Sequence, residues 1–215
     1  MRHSMPNQRR SRPTPRWVGR EVCWFVVSGL MCGGVFCCFA QNTVVPPPAY
    51  EDAEAYTIYN TLIEQDWTVR SAHAKRLLIV GSTVKPHLLE CQQPEGESVA
   101  ILAPLLRKLG ELGNTSYTLL PKLTLDRPYD LVARDKIDGA LRGGWEEVGR
   151  AYPLSAHSYI ELSPVAFNAD KTIAVVYEAH HCGSLCGGGN LNVLQKQDGV
   201  WRPMRWTGKI CSMAL

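Results

Sequence analysis

The apolar residues of this chain change their spacing near residue 157, and that change confines the chain to one fold class. Before it, they recur at helical intervals. Over 51–67, Ala55, Ile58, Tyr59, Leu62 and Ile63 fall on one helical face, with Glu51, Asp52 and Glu54 in the first turn, where the helix dipole favours acids. Residues 104–112 predict a second helix, with Pro104 in its first turn and Gly113 just past its end. Ile137, Ala140, Leu141, Trp145 and Val148 share a face over 135–151, kinked at Gly143-Gly144. Leu77-Leu78-Ile79-Val80 reads as a short buried strand and 117–120 as another.

After residue 157 the period is two. Ile160, Leu162 and Ala166 alternate with Tyr159, Glu161 and Ser163, and a turn follows at Asn168-Ala169-Asp170. Ile173, Val175, Tyr177 and Ala179 then alternate with Ala174, Val176 and Glu178, which places Ile173, Val175 and Tyr177 on the buried face of a central strand. A glycine-rich loop over 183–189, needing positive φ, leads to a strand at 191–197, and Asp198-Gly199 is a two-residue hairpin turn. The last strand covers 200–210, with Pro203 confining it to an edge or a bulge. Helices first and strands second predict an α+β domain over 50–215, its N-terminal helices packed on a four-stranded antiparallel meander formed by the C-terminal half.

Charge and apolarity separate the first forty residues from the rest. Residues 1–40 hold six arginines and one acid, a net of +5, while 41–215 carry a net of −2. The globular part therefore gives no argument for nucleic acid. Residues 22–40 are nineteen without a charge behind that basic leader, ending Cys38-Phe39-Ala40, the order of a secretory signal cleaved before Gln41. Nineteen apolar residues also suffice to span a bilayer, so an uncleaved anchor is the rival, and the membrane would be touched only through 22–40. Residues 41–49, with three consecutive prolines, predict a disordered, extended linker. The expected location is exported, either periplasmic or extracellular, or held at the membrane by that anchor.

The run Trp145-x-x-Val148-x-x-x-Tyr152-Pro153-x-Ser155, then Leu162-Ser163-x-Val165-x-Phe167-Asn168-x-Asp170-Lys171-Thr172-x-Ala174-x-Val176-Tyr177, resembles a group of small exported bacterial proteins. Their tails continue, as here, with a cysteine-bearing glycine-rich loop and a segment like Leu194-x-Lys196-x-Asp198-Gly199-x-Trp201. The resemblance covers about residues 140–205 and implies export and a sheet-forming C-terminal half, without an activity. The chain departs from the group at Pro164 and Ala166, where the pattern has arginine and glycine.

Cleavage of the signal would leave four cysteines, Cys91, Cys182, Cys186 and Cys211, which in an exported domain suggest two disulfides. A three-residue hairpin loop between Cys182 and Cys186 would bring their Cα atoms to about 4.5–5.5 Å, within disulfide range, leaving Cys91 with Cys211 by default. The alternative is zinc, because His180-His181-Cys182-x-x-x-Cys186 sets two imidazoles and two thiols in seven residues. His180 and His181 point to opposite strand faces, so only one joins the thiols easily, and His157 or Cys211 would have to complete the set. Glu178 and His180 lie two apart on one face, an exposed ion pair or an acid–base pair. No nucleophile elbow or phosphate-binding fingerprint is present. The sequence thus supports a monomeric exported module that binds an unidentified envelope ligand or protein, with no cofactor. Its alternative is a metal-dependent or His/Glu acid–base hydrolase with its site near Glu178–Cys186, drawing on His157, Glu178, His180 and His181.

Overall fold

A computed structural model describes residues 45–65, 74–87, 93–184, 186–209 and 213–214. The expected signal or anchor, Cys91 and Cys211 lie outside the described residues. In chain order the elements are β1 (Ala49–Tyr50), α1 (Ala53–Gln65), β2 (Leu77–Val80), β3 (Gln93–Pro94), α2 (Ser98–Leu112), β4 (Thr118–Leu119), β5 (Tyr129–Val132), α3 (Arg134–Leu141) and α4 (Trp145–Ala151). There follow β6 (Tyr159–Leu162), β7 (Ala166–Phe167), β8 (Ile173–His181), β9 (Gly187–Gln197), β10 (Val200–Pro203), β11 (Gly208–Lys209) and β12 (Met213–Ala214). Among the described residues no helix is long and apolar enough to cross a membrane.

The α+β class holds, but the sheet is larger than the expected four-stranded meander and is mixed. Its eight strands run β10-β9-β8-β6-β2-β5, with β7 also on β8 and β12 also on β9. The first half contributes β2 and β5, and β2 pairs in parallel with both β5 and β6. All four β2 side chains are buried, as expected of a strand covered on both faces.

Helices cover both faces. On one, Ala55, Tyr56, Ile58, Tyr59, Leu62 and Ile63 of α1 pack over Ile160, Leu162, Ala174, Val176, Leu194 and Trp201. On the other, Leu102, Leu105 and Leu109 of α2 cover Val175, Tyr177, Ala179, Leu191 and Val193, while Ile137 of α3 sits on Leu78, Val80 and Tyr159. Ile173, Val175 and Tyr177 do share the face toward α2, and β8 is a central strand. Its opposite face is buried as well, so burial along β8 is nearly continuous.

Several boundaries moved for local reasons. Helix α2 begins at Ser98, and Pro104 lies inside it. Pro104 faces solvent, so the lost backbone hydrogen bond falls on the wet side while the leucine stripe continues beneath it. Gly113 ends that helix at φ −67°, an ordinary conformation, and is needed for space: a Cβ there would lie 2.6 Å from Pro86 Cδ. The glycine pair separates α3 from α4, with Gly144 at φ +89°. Asp198 and Gly199, at φ +50° and +79°, form the expected hairpin turn, and β10 lies at the sheet edge. The last strand is cut short: β10 ends at Pro203, and Gly208–Lys209 pairs with β3. The expected linker is tied down at its end, where the Pro48 carbonyl accepts the Thr118 amide and Ala49 pairs with Thr118.

The departure that matters most lies between β6 and β7. Leu162 pairs with Glu178, and Ala166 pairs with Val175, so three residues (163–165) oppose two (176–177). This bulge reverses the inside–outside phase of the strand. Leu162 and Ala166, expected on one face, lie on opposite faces. The bulge leaves few orphans: Tyr59 Oη donates to the Ser163 carbonyl, and the Val165 amide donates to Tyr50 Oη.

Candidate functional site

Because of the bulge, Tyr159 and Glu161 share a sheet face with Tyr177 and His181. Tyr159 sits opposite His181 and Glu161 opposite Ala179. On this part of the sheet, beside α3, lies an open cleft of about 510 Å3 lined by His87, Arg134, Asp138, Tyr159, Glu161, Tyr177 and His181. Four separate segments meet there: the stretch after β2, α3, β6 and β8.

Glu161 is the centre of the arrangement and is only 5% exposed. Arg134 Nη2 reaches its Oε1 at 2.5 Å, and His181 Nε2 lies 3.3 Å from its Oε2. Burial alone would push this carboxyl up, but the nearby His181 imidazole and the Arg134 guanidinium outweigh it and hold Glu161 below the ordinary carboxylate value. The same environment acts oppositely on the phenols. Burial, with the Glu161 charge added, pushes both Tyr159 and Tyr177 up to about 12. Both hydroxyls therefore remain protonated donors at neutral pH.

Three rings from three elements stand nearly parallel. His181 stacks on Tyr159 with centroids 4.3 Å apart and planes 11° apart, and Trp145 of α4 stacks on Tyr159 at 5.9 Å and 18°. Tyr177 closes the far side, meeting His87 edge-on at 6.3 Å. Its ring lies across Gly189 of β9, the strand neighbour of Ala179.

The candidates read from the sequence are dispersed. Cys182 and Cys186 are joined by a disulfide, with Cα atoms 5.0 Å apart, so the zinc alternative loses both thiols. Among the described residues no group of three His, Cys, Asp or Glu could hold a metal ion. The glycine-rich loop is shorter than the expected 183–189, because 187–189 are β9 residues paired with His181, His180 and Ala179. His180 and His181 do face opposite ways, and only His181 lines the cleft. Glu178 and His180 share a face, but that face is buried at 6% exposure each, not the exposed ion pair expected. His157 takes φ +58° and packs its ring against Gly149 in α4, outside the cleft lining.

Glu161, Arg134, Asp138, Tyr159 and Tyr177 escaped the sequence reading. Tyr159 and Glu161 do face away from Ile160 and Leu162, but carrying that phase across Pro164 hides their alignment with His181. A proline inside an alternating strand was the available signal for a bulge. No family model, no curated protein and no solved structure matches this chain.

Proposed function

We propose that this chain is an exported, monomeric binding module whose small ligand occupies the open cleft beside α3. One observation carries the reading: seven polar and aromatic side chains from four segments converge on a single open concavity. Export is supported by the basic leader, the uncharged run at 22–40 and the hairpin disulfide, which suits an oxidising compartment. The likeness to small exported bacterial proteins supports it too. An NMR screen of a small-molecule library, read at the ring resonances of Tyr159 and His181, tests binding; a folded protein with no cleft-specific hit would refute it. N-terminal sequencing of envelope-derived protein tests export, with Gln41 as the expected first residue. A full-length membrane-embedded species would favour the anchor, and a soluble cytoplasmic one would defeat both.

A second reading, acid–base catalysis, is favoured by the Glu161–His181 pair alone. A buried carboxylate within 3.3 Å of an imidazole is placed to support it as a base once the pair tightens on a substrate. In this reading Glu161 takes the place first given to Glu178. Hydrolysis of an ester substrate that is lost in His181→Ala would establish it.

A further inference from the structure

Of the side chains that line the cleft, Tyr159, Glu161 and Tyr177 are buried. Those a ligand can reach are Asp138, 49% exposed, Arg134, 35%, and His181, 16%, with His87 exposed beside them. Two of these four are imidazoles, and histidine is the side chain whose charge changes between about pH 5 and 8. With both imidazoles neutral the lining holds one cation, Arg134, and two carboxylates, Glu161 and Asp138, a net of −1. With both protonated the net is +1. Glu161 does not cancel this change, because its carboxyl is held below the ordinary value and stays ionised through the imidazole range.

Glu161 also sets the geometry. Arg134 Nη2 takes one of its oxygens, and His181 Nε2 lies 3.3 Å from the other without completing a hydrogen bond, so guanidinium and imidazole flank one carboxylate. A proton added to His181 there meets an acceptor already in place, and its charge adds to that of Arg134. The groups that share the cleft with His181 are Tyr159 and Glu161 from β6, Arg134 and Asp138 from α3, Tyr177 on its own strand and His87 after β2. Beside residues 179–181, β9 brings only Gly187, Gly188 and Gly189. Arg134 Nη1 reaches Asp138 only at 3.9 Å, beyond hydrogen-bond range, so an anion can take that nitrogen without breaking the Arg134–Glu161 pair.

We infer that the cleft is an acid-gated anion site: it excludes small anions while His87 and His181 are neutral, and once they are protonated it binds a sulfate, phosphate or carboxylate group against Arg134 Nη1. The inference rests on the binding reading of the cleft and names its ligand class and its control.

The test titrates sulfate, a dianion throughout this range, into the full chain at about pH 5 and at about pH 8, at constant ionic strength, with choline as the cationic control. Sulfate should move the Tyr159 ring and Arg134 guanidinium resonances at the lower pH, bind about tenfold more weakly at the higher, and leave Trp201, on the α1 face, unmoved. His181→Phe keeps a flat ring against Tyr159 but takes no proton, and should lose most of the gain in acid. His87→Gln, at an exposed position, should lose several-fold in acid, and Asp138→Asn should admit sulfate at the higher pH. Equal sulfate affinity at the two pH values would overturn the inference. So would an undiminished acid response in a folded His181→Phe chain, because the charge of the whole chain would then be responsible. Should His181→Phe not fold, unchanged sulfate affinity in both His87→Gln and Asp138→Asn would overturn it instead. Sulfate failing at both pH values while choline or a library compound moves the cleft would overturn it and leave the binding reading standing. Failure of sulfate, choline and the library alike would overturn both.

Discussion

Ser163 Oγ accepts the Tyr177 amide at 2.8 Å, and its own hydroxyl donates to the Pro164 carbonyl at 2.7 Å. One fully buried side chain thus supplies the acceptor that a regular strand would have offered from its backbone. Ser163→Ala should leave the Tyr177 amide buried without that acceptor and cost about 1–3 kcal/mol in urea unfolding. A cost near zero would mean that Tyr50 and Tyr59 hold the bulge without Ser163.

Gly189 is the second fixed point. A Cβ there would lie 2.3 Å from Tyr177 Oη and under 3 Å from two ring carbons. Gly189→Ala should therefore destabilise by about 1–3 kcal/mol, as overpacked sites do. The penalty should largely vanish in a Tyr177→Ala background, because the obstructing ring is gone. Strict additivity in that double-mutant cycle would place the strain elsewhere.

Glu161 makes the domain acid-sensitive with a definite sign. Its folded pKa is held below the ordinary carboxylate value, so the stability it contributes is fully present above the unfolded pKa, about 4.3, and is lost as pH falls through the folded value. The stability difference between the parent and Glu161→Gln should shrink as pH falls below about 5. Denaturant titrations from neutral to acid pH measure this, and a difference that grows on acidification would reverse the assignment.

The Cys182–Cys186 bond closes a very short loop, so its entropic contribution is modest. Replacing both cysteines by serine should cost about 2 kcal/mol on the chain-entropy model. Since Cys182 directly follows His181, the ring resonances of His181 and Tyr159 should shift in the same variant. Non-reducing peptide mapping should recover a disulfide-linked peptide containing 182 and 186. Free thiols at both positions in exported protein would contradict the structure.

Local chemistry was the legible part of the sequence. Asp198-Gly199, the turn in which Asn168 accepts the Thr172 and Ile173 amides, the α1 stripe and the hairpin cysteines all act within a few residues of themselves. What stayed hidden depends on partners distant in sequence. Nothing in Leu77–Val80 says that it pairs in parallel with both β5 and β6. Nothing near Arg134 announces Glu161. Pro104 shows the same limit from the other side, because a local helix-start signal was overridden by the leucine stripe of α2.

The parallel pairing of Ile79 with Ile160 also sets an order of assembly. Strands β8 and β9 are hairpin neighbours that can meet by closing a short loop, whereas β2 and β6 must find each other across some eighty residues of chain. His87, Arg134 and Asp138 come from the early part of the chain; Tyr159, Glu161, Tyr177 and His181 come from the late part. A fragment beginning at residue 155 would carry the hairpins and the disulfide but only half of the cleft. Ligand capture therefore reports that the segments before and after residue 155 have found each other, and during refolding it should appear after the hairpin signal and not with it.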